Sequence, residues 1–209
     1  MDKNIIKQII GVNDPILFEI GCADGGDTQD FVNVFGDTNF KLYCFEPEPT
    51  NIQHFKNRNL SNNVSLFEGA VSKENGVTRF NRSRNQHDYN DYRYSGSVKS
   101  PKEHTQNWPH ILFDEFTDVR AITLDTFCEQ NSIQLIDFIW ADVQGAEDYL
   151  IEGGKKMFES GVRYFYTEYS DREFYDNAPN QHRIKELLGN NWEIVQDFRT
   201  DVLLKNKNL

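Results

Sequence analysis

The chain has 209 residues, 38% of them hydrophobic, and carries a formal net charge of −11 with a pI near 4.9. That balance argues against a nucleic-acid groove and against an anionic membrane surface as partners. The sequence shows no charged-then-apolar leader and no run of eighteen apolar residues, so neither a signal peptide nor a membrane span is expected.

Residues 3–10 place Ile5, Ile6, Ile9 and Ile10 on one helical face; Gly11 ends that helix and Asn13-Asp14-Pro15 turns the chain. Ile16 to Ile20 then reads as a strand buried on both faces. Gly21, Gly25 and Gly26 follow, and a helix runs to about Phe35 with Asp27 or Thr28 expected as its N-cap. Glycines there permit positive φ and close approach of a ligand, and the helix start offers unpaired N–H groups. The spacing Glu19-x-Gly21-x-x-x-Gly25 departs from the G-x-G-x-x-G that supports a pyrophosphate and suits a cationic ligand without phosphate. Glu19 would lie under the turn, either holding a ligand amine or ordering the loop.

Lys41 to Glu46 is the second strand, closed by Pro47 and Pro49. Its terminal acid, Glu46, stands where ribose hydroxyls are bound in such sheets. A helix with Ile52 and Phe55 inward covers 50–57. Val64 to Val71 is a third strand running into a turn, which sets Glu68, Gly69 and Ala70 beside the adenine end of a nucleoside; Val77 to Asn81 reads as a short extra strand. From Arg82 to Asp118 the chain is polar and aperiodic, yet carries Tyr89, Tyr92, Tyr94, Trp108, His87, His104 and His110. A stretch of that length is a functional lid or a flexible insertion, and its aromatics favour the lid.

Val119 to Leu124 reads as a strand and Leu124 to Glu129 as a short helix. Ile136 to Asp142 is a buried strand ending in an acid, followed by a polar turn and a helix over Ala146 to Phe158 broken at Gly153-Gly154. Arg163 to Glu168 is another strand ending in an acid, Gln181 to Leu188 a helix, and 192–198 with 202–205 a terminal hairpin. The alternation predicts an α/β fold: a doubly wound, mostly parallel, Rossmann-like sheet with a C-terminal antiparallel hairpin. No repeat and no boundary interrupts it, so 1–209 reads as one domain with a lid at about 82–118. Cys22, Cys44 and Cys128 form no C-x-x-C pair and no zinc spacing, and are expected as reduced thiols in the cytoplasm. Cys22, inside the glycine turn without a base beside it, is expected to pack rather than react.

The segment Asp142-Val-Gln-Gly-Ala-Glu147 resembles the signature of the FkbM family of S-adenosylmethionine (SAM)-dependent methyltransferases. Phe18-Glu-Ile-Gly-Cys-Ala-Asp-Gly-Gly26, Cys44-Phe-Glu-Pro47, Glu68-Gly-Ala-Val-Ser72 and Ser95-Gly-Ser-Val98 agree with it in the family's order. The resemblance spans roughly residues 16–170. It implies an O-methyltransferase of small molecules and saccharides with SAM as donor. It further implies donor contacts from Glu19, Gly21, Cys22, Ala23 and Gly25 at the first turn, and from Glu46 and Pro47 at the ribose. Glu68, Gly69 and Ala70 would flank the adenine, with Ser97, Asp142 and Gln144 completing the set. Trp140-Ala141 stands where the family often has Leu-Lys or Lys-Ile, so a basic residue before the acid is missing. Residues 82–118 match only at their Ser-Gly-Ser end, which leaves the acceptor uninherited.

Methyl transfer asks mainly for placement, with the nucleophile in line behind the methyl carbon, and an alcohol also needs a destination for its proton. Asp142 is the candidate that orients the acceptor hydroxyl and takes that proton; Glu168, at the end of the adjacent strand, is the second catalytic candidate, with His87 or His104 as assisting bases. The competing roles are a helix cap or a hold on the SAM amino end for Asp142, a first-turn acid for Glu147, and an ion pair with Arg163 or Arg172 for Glu168. A divalent metal is left open: Asp142 and Glu168 would supply two oxygens and His87, His104 or Asp88 a third, but no ligand spacing demands it. The lid aromatics suit a saccharide acceptor. A nicotinamide dehydrogenase and a non-catalytic SAM-binding protein are the alternatives, and the oligomeric state is not legible.

Overall fold

The computed structural model describes residues 1–87 and 93–209. Helix α1 (Lys3–Ile10), capped by the Asp2 carboxylate and closed by Gly11, leads into strand β1 (Ile16–Ile20). Then come α2 (Gly26–Phe35), β2 (Lys41–Glu46), α3 (Pro49–Asn57), β3 (Val64–Glu68), β4 (Ala70–Val71) and β5 (Gly76–Asn85). The second half holds α4 (His104–Asn107), β6 (Ile111–Ile122), α5 (Leu124–Gln130), β7 (Ile136–Ala141), α6 (Glu147–Gly153), α7 (Lys155–Ser160), β8 (Val162–Glu168), α8 (Gln181–Leu188), β9 (Trp192–Asp197) and β10 (Asp201–Asn206).

Seven strands form the main sheet in the order β3-β2-β1-β7-β8-β10-β9. The first five are mutually parallel, whereas β10 runs antiparallel to both β8 and β9. This is the expected doubly wound sheet with its terminal hairpin. After β3 the main-sheet strand order reverses, and β7 pairs with the free side of β1; the carboxyl edge at that switch point is where such sheets hold ligands. Leu17 on β1 joins the core under α1, α2 and α3 with Ile6, Phe31, Phe35 and Phe55, while Phe18 and Ile20 join the core under α5 to α8. Burial on both faces explains why β1 is nearly all apolar.

A second sheet, β4-β6-β5, stands beside the first. It corrects the expectation for 82–118. The strands thought to stop at Asn81 and to start at Val119 are ten and twelve residues long, so Arg82–Asn85 and Ile111–Asp118 are strand. Their ladder is held by backbone hydrogen bonds and cross-strand charges, Arg84 on Asp114 and Arg82 on Glu115, with few inward apolar residues. Without an apolar face there is no period-2 signal to read. Tyr89, Tyr92 and Asp88 lie outside the described residues.

Candidate active site

Strand registry places the acids. Glu19 pairs with Trp140 across β1 and β7, and Trp140 with Tyr166 across β7 and β8. Glu168 faces Asp201 across β8 and β10. Side chains alternate along a strand, so Asp142, Glu168 and Asp201 leave the carboxyl edge on one face. The Asp142 N–H donates to the Ile20 carbonyl at 2.9 Å, which draws the ends of β1 and β7 together. Gly21, at φ +87°, is what permits this: a Cβ there would lie 1.9 Å from the Asp142 carbonyl oxygen.

Two clefts open at this edge. The first, about 650 Å³ including its open mouth, runs from Gly69 and Ala70 past Glu46, Pro47 and Ala23 to Gly21, Asp142 and Gln144, with Tyr94 on its wall. The second, about 1290 Å³ including its open mouth, is lined by His104, Trp108, Phe174, Tyr175, Glu147 and Glu168. Gln144 lines both. The second cleft is walled by two strips far apart in sequence. Lys102 and His104 donate backbone N–H groups to the Phe174 carbonyl at 2.8 and 3.2 Å, Asp176 donates to Ser100 at 2.9 Å, and Arg172 pairs with Glu103 at 3.1 Å.

The buried Glu46 carboxyl accepts from the backbone N–H groups of Ala23 and Glu48, both at 2.8 Å, and so ties the glycine turn to β2. Burial pushes it up to about 7, against those hydrogen bonds. Glu19 reaches neither cleft: it is buried beneath the turn, takes the Thr28 hydroxyl at 2.6 Å and orders the start of α2. Burial pushes its carboxyl up to about 8. Thr28 is thus spent on Glu19, and the N-cap position falls to Gly25 instead of Asp27 or Thr28. Cys22 is buried in the core, its thiol pushed up by burial, and Gly25 lies against the Phe55 ring.

Three further expected site residues fall elsewhere. Glu68 is half exposed and pairs with Lys56 at 2.7 Å, leaving Gly69 and Ala70 to line the first cleft. Ser97 is buried behind the wall, donating its hydroxyl to the Gln144 carbonyl at 2.8 Å. His87 is exposed on the turn after β5 and borders neither cleft. His104 does border the second. It is 6% exposed, packed on Trp108 and Phe113, and its Nδ1, buried from solvent, has no hydrogen-bond partner among the described residues. Burial first, then His110, lowers its pKa, which keeps the ring neutral.

Asp142 Oδ1 accepts from Gln144 Nε2 at 2.6 Å. Burial pushes the carboxyl up to about 6; the Gln144 hydrogen bonds pull it down, and Asp201 and Asp27 push it up further. Glu147, 1% exposed, accepts from the Gly145 N–H at 3.2 Å and is pushed up to about 7, by burial first and then by Asp142. Desolvation and the like charges of Asp142, Asp201 and Glu147 raise Glu168 above the ordinary carboxylate range. The ion pairs anticipated for it are absent among the described residues: Arg163 pairs with Asp137 and Arg172 with Glu103. Among the described residues no three His, Cys, Asp or Glu side chains are grouped to hold a metal ion. Asp201, Tyr175 and Phe174 were not singled out in the sequence. The last two carried the same signal as 82–118, aromatics in a polar loop after a strand ending in an acid.

A family profile described as Methyltransferase FkbM domain matches residues 10–197. The 2-O-methyltransferase NoeI of Sinorhizobium fredii (strain NBRC 101917 / NGR234) is 36% identical over 209 residues, which cover 98% of this chain and 84% of that protein. The chain belongs to the FkbM methyltransferase family. The crystal structure of a methyltransferase FkbM from Methylobacillus flagellatus KT superposes on it with a TM-score of 0.58 at 11% identity, covering 92% of this chain and 44% of that one. The METTL16 MTase domain gives 0.52 at 11%, covering 98% and 65%. The chain thus spans less than two thirds of either solved structure, and these likenesses show the fold. FkbM membership makes the chain a methyltransferase and removes the dehydrogenase reading. It also gives the Trp140 departure a context. At that position the Lys3 ammonium of α1 sits 3.5 Å from the Trp140 ring centroid and pairs with Asp27 at 2.7 Å. No helix among the described residues is long and apolar enough to cross a membrane.

Proposed function

We propose that this FkbM methyltransferase uses SAM to methylate a hydroxyl of a saccharide. The observation that carries the reading is the meeting of two clefts at Gln144, beside Asp142. The first cleft fits the donor. Ile20, Phe45, Val71 and Phe80 give an apolar bed for an adenosine, Glu46 gives a buried acid for ribose hydroxyls, and the cleft ends at Asp142. The donor supplies an electrophilic methyl group on a sulfonium. The protein's task is then to align the acceptor oxygen and receive its proton. Asp142 performs both, as the acid nearest the junction whose pKa lies close to neutral. In the second cleft Trp108 and Phe174 offer flat apolar surface to the C–H face of a sugar ring, while Glu168 offers a hydrogen-bonding carboxyl to its hydroxyls. The relative named as a 2-O-methyltransferase supports oxygen as the nucleophile. The three cysteines are buried and unpaired, which supports a reducing, cytoplasmic setting.

Calorimetric titration with SAM and S-adenosylhomocysteine tests the donor, and a labelled-methyl screen of saccharides, catechols, peptides and RNA tests the acceptor. Micromolar binding of both nucleosides and label on saccharides are expected. Absence of SAM binding removes the donor assignment; label confined to proteins or nucleic acids removes the acceptor assignment.

A further inference from the structure

A chain of hydrogen bonds runs from Asp142 to a backbone carbonyl. Gln144 Nε2 lies 2.6 Å from Asp142 Oδ1, and Gln144 Oε1 lies 2.8 Å from the Tyr175 hydroxyl. That hydroxyl is also 2.9 Å from the Ser95 carbonyl oxygen. Among the described residues Tyr175 therefore has one proton and two acceptors within reach. Both flanks of the chain are fixed. Gln144 itself is held in the left-handed region at φ +50°, with its carbonyl accepting from Ser97. Tyr175 is 4% exposed and wedged against Gly145, where a Cβ would come within 2.9 Å of its ring. Between these fixed ends the Gln144 carboxamide can turn over about its last bond, exchanging oxygen and nitrogen in place.

We propose that Tyr175 is a positioning residue in a reversible hydrogen-bond chain, Asp142–Gln144–Tyr175–Ser95, that keeps Asp142 partnered both before and after it takes the acceptor's proton. This rests on the reading of Asp142 as the proton acceptor. With Asp142 ionised, the Gln144 amide NH₂ donates to it and Tyr175 donates to the Gln144 oxygen. In the reaction the acceptor O–H bond breaks, its oxygen forms the bond to the methyl carbon as the carbon–sulfur bond breaks, and the proton moves to Asp142. The protonated Asp142 then donates to the turned-over Gln144 oxygen. Gln144 NH₂ donates to the Tyr175 oxygen, and Tyr175 donates to Ser95. No proton travels along the chain; only donor directions reverse.

The charge around Asp142 gives this device its reason. Asp142 is faced by Glu168 from β8, Asp201 from β10, Asp27 from α2 and Glu147 from α6. The cations nearby are engaged elsewhere, Lys3 on Asp27 and Lys99 on Asp148. A neutral partner that can reverse answers either state of Asp142 without adding a charge. A carboxylate at position 144 would instead place a like charge 2.6 Å away.

The test joins kinetics to amide NMR. In ¹⁵N-labelled wild-type protein the Gln144 side-chain amide, assigned by its loss in Gln144→Glu, is expected to shift with pH, and Asp142→Asn to abolish that shift. Tyr175→Phe keeps the ring and removes the hydroxyl; its SAM Kd and acceptor KM are expected to stay within about twofold while kcat falls about tenfold. Gln144→Glu is expected to move the acid limb of the rate profile upward by about one pH unit. A Gln144 amide indifferent to pH, or a Tyr175→Phe enzyme with wild-type kcat, overturns the proposal. The amide titration needs no turnover and does not depend on Tyr175→Phe, so it decides the chain separately from the methyl-transfer reading, which fails on its own if SAM does not bind.

Discussion

The Asp142 carboxyl gives one oxygen to the Gln144 amide and stands among four other acids at the sheet edge. A carboxyl held at about 6 is ionised at neutral pH, yet basic enough to receive a proton as the acceptor oxygen is alkylated. With Asp142 as the proposed proton acceptor the carboxylate is the active form, so kcat/KM should rise as pH rises through about 6 and then level off. Asp142→Asn should keep SAM affinity within about threefold, lose about a hundredfold or more in turnover, and lose the acid limb with it. A pH–rate series on both enzymes checks this; an unchanged limb in the variant would move the proton to Glu168 or His104. His104 differs from Asp142 in kind. Its ring is kept neutral by burial, and its Nδ1 is shut off from solvent without a partner among the described residues, so it packs the cleft wall.

Among the elements, the joint between β1 and β7 carries the most consequence. Gly21 combines a left-handed φ with a backbone neighbour at less than contact distance, so a side chain there can be accommodated only by parting the two strands. Gly21→Ala should cost about 2–4 kcal/mol in urea unfolding and abolish SAM binding, through strain and separation at one site. The same joint shows why the sheet could be read in the sequence. β1, β2, β7 and β8 are buried on both faces, so their apolar runs and terminal acids announce them, as do Gly153 and Gly154 between α6 and α7. β5 and the start of β6 gave no such sign, because charged pairs such as Arg84 with Asp114 replace an apolar face. Glu19 and Glu68 were legible as strand acids. Their directions, toward Thr28 and toward Lys56, depend on which neighbours the fold brings, and that is not a local property. Asp201 was hidden for a related reason: only the register of β10 on β8 sets it opposite Glu168.

Across the whole molecule, three buried acids set a common dependence on pH. Unfolded, glutamates titrate near 4.5; folded, Glu46 and Glu147 titrate at about 7 and Glu19 at about 8. The folded chain therefore holds more protons than the unfolded chain across that interval. Their contribution is fully present below about 4.5 and is lost as pH rises through 7 and 8. The ligand-free protein should melt about 5–10 °C lower at pH 8.5 than at pH 6, measured by calorimetry; a flat or rising Tm would mean that these carboxyls are ionised in the fold. The walls of the second cleft have a different kind of consequence. The backbone bonds that join 100–104 to 173–176 make two distant stretches share a seam, while the first cleft is cut into the sheet itself. Transplanting one stretch from a relative would leave that seam with mismatched halves, whereas transplanting both would carry a working pocket across. With the second cleft proposed for the acceptor and the first for the donor, a change of acceptor calls for the two stretches to change together, over a donor cleft that need not change at all.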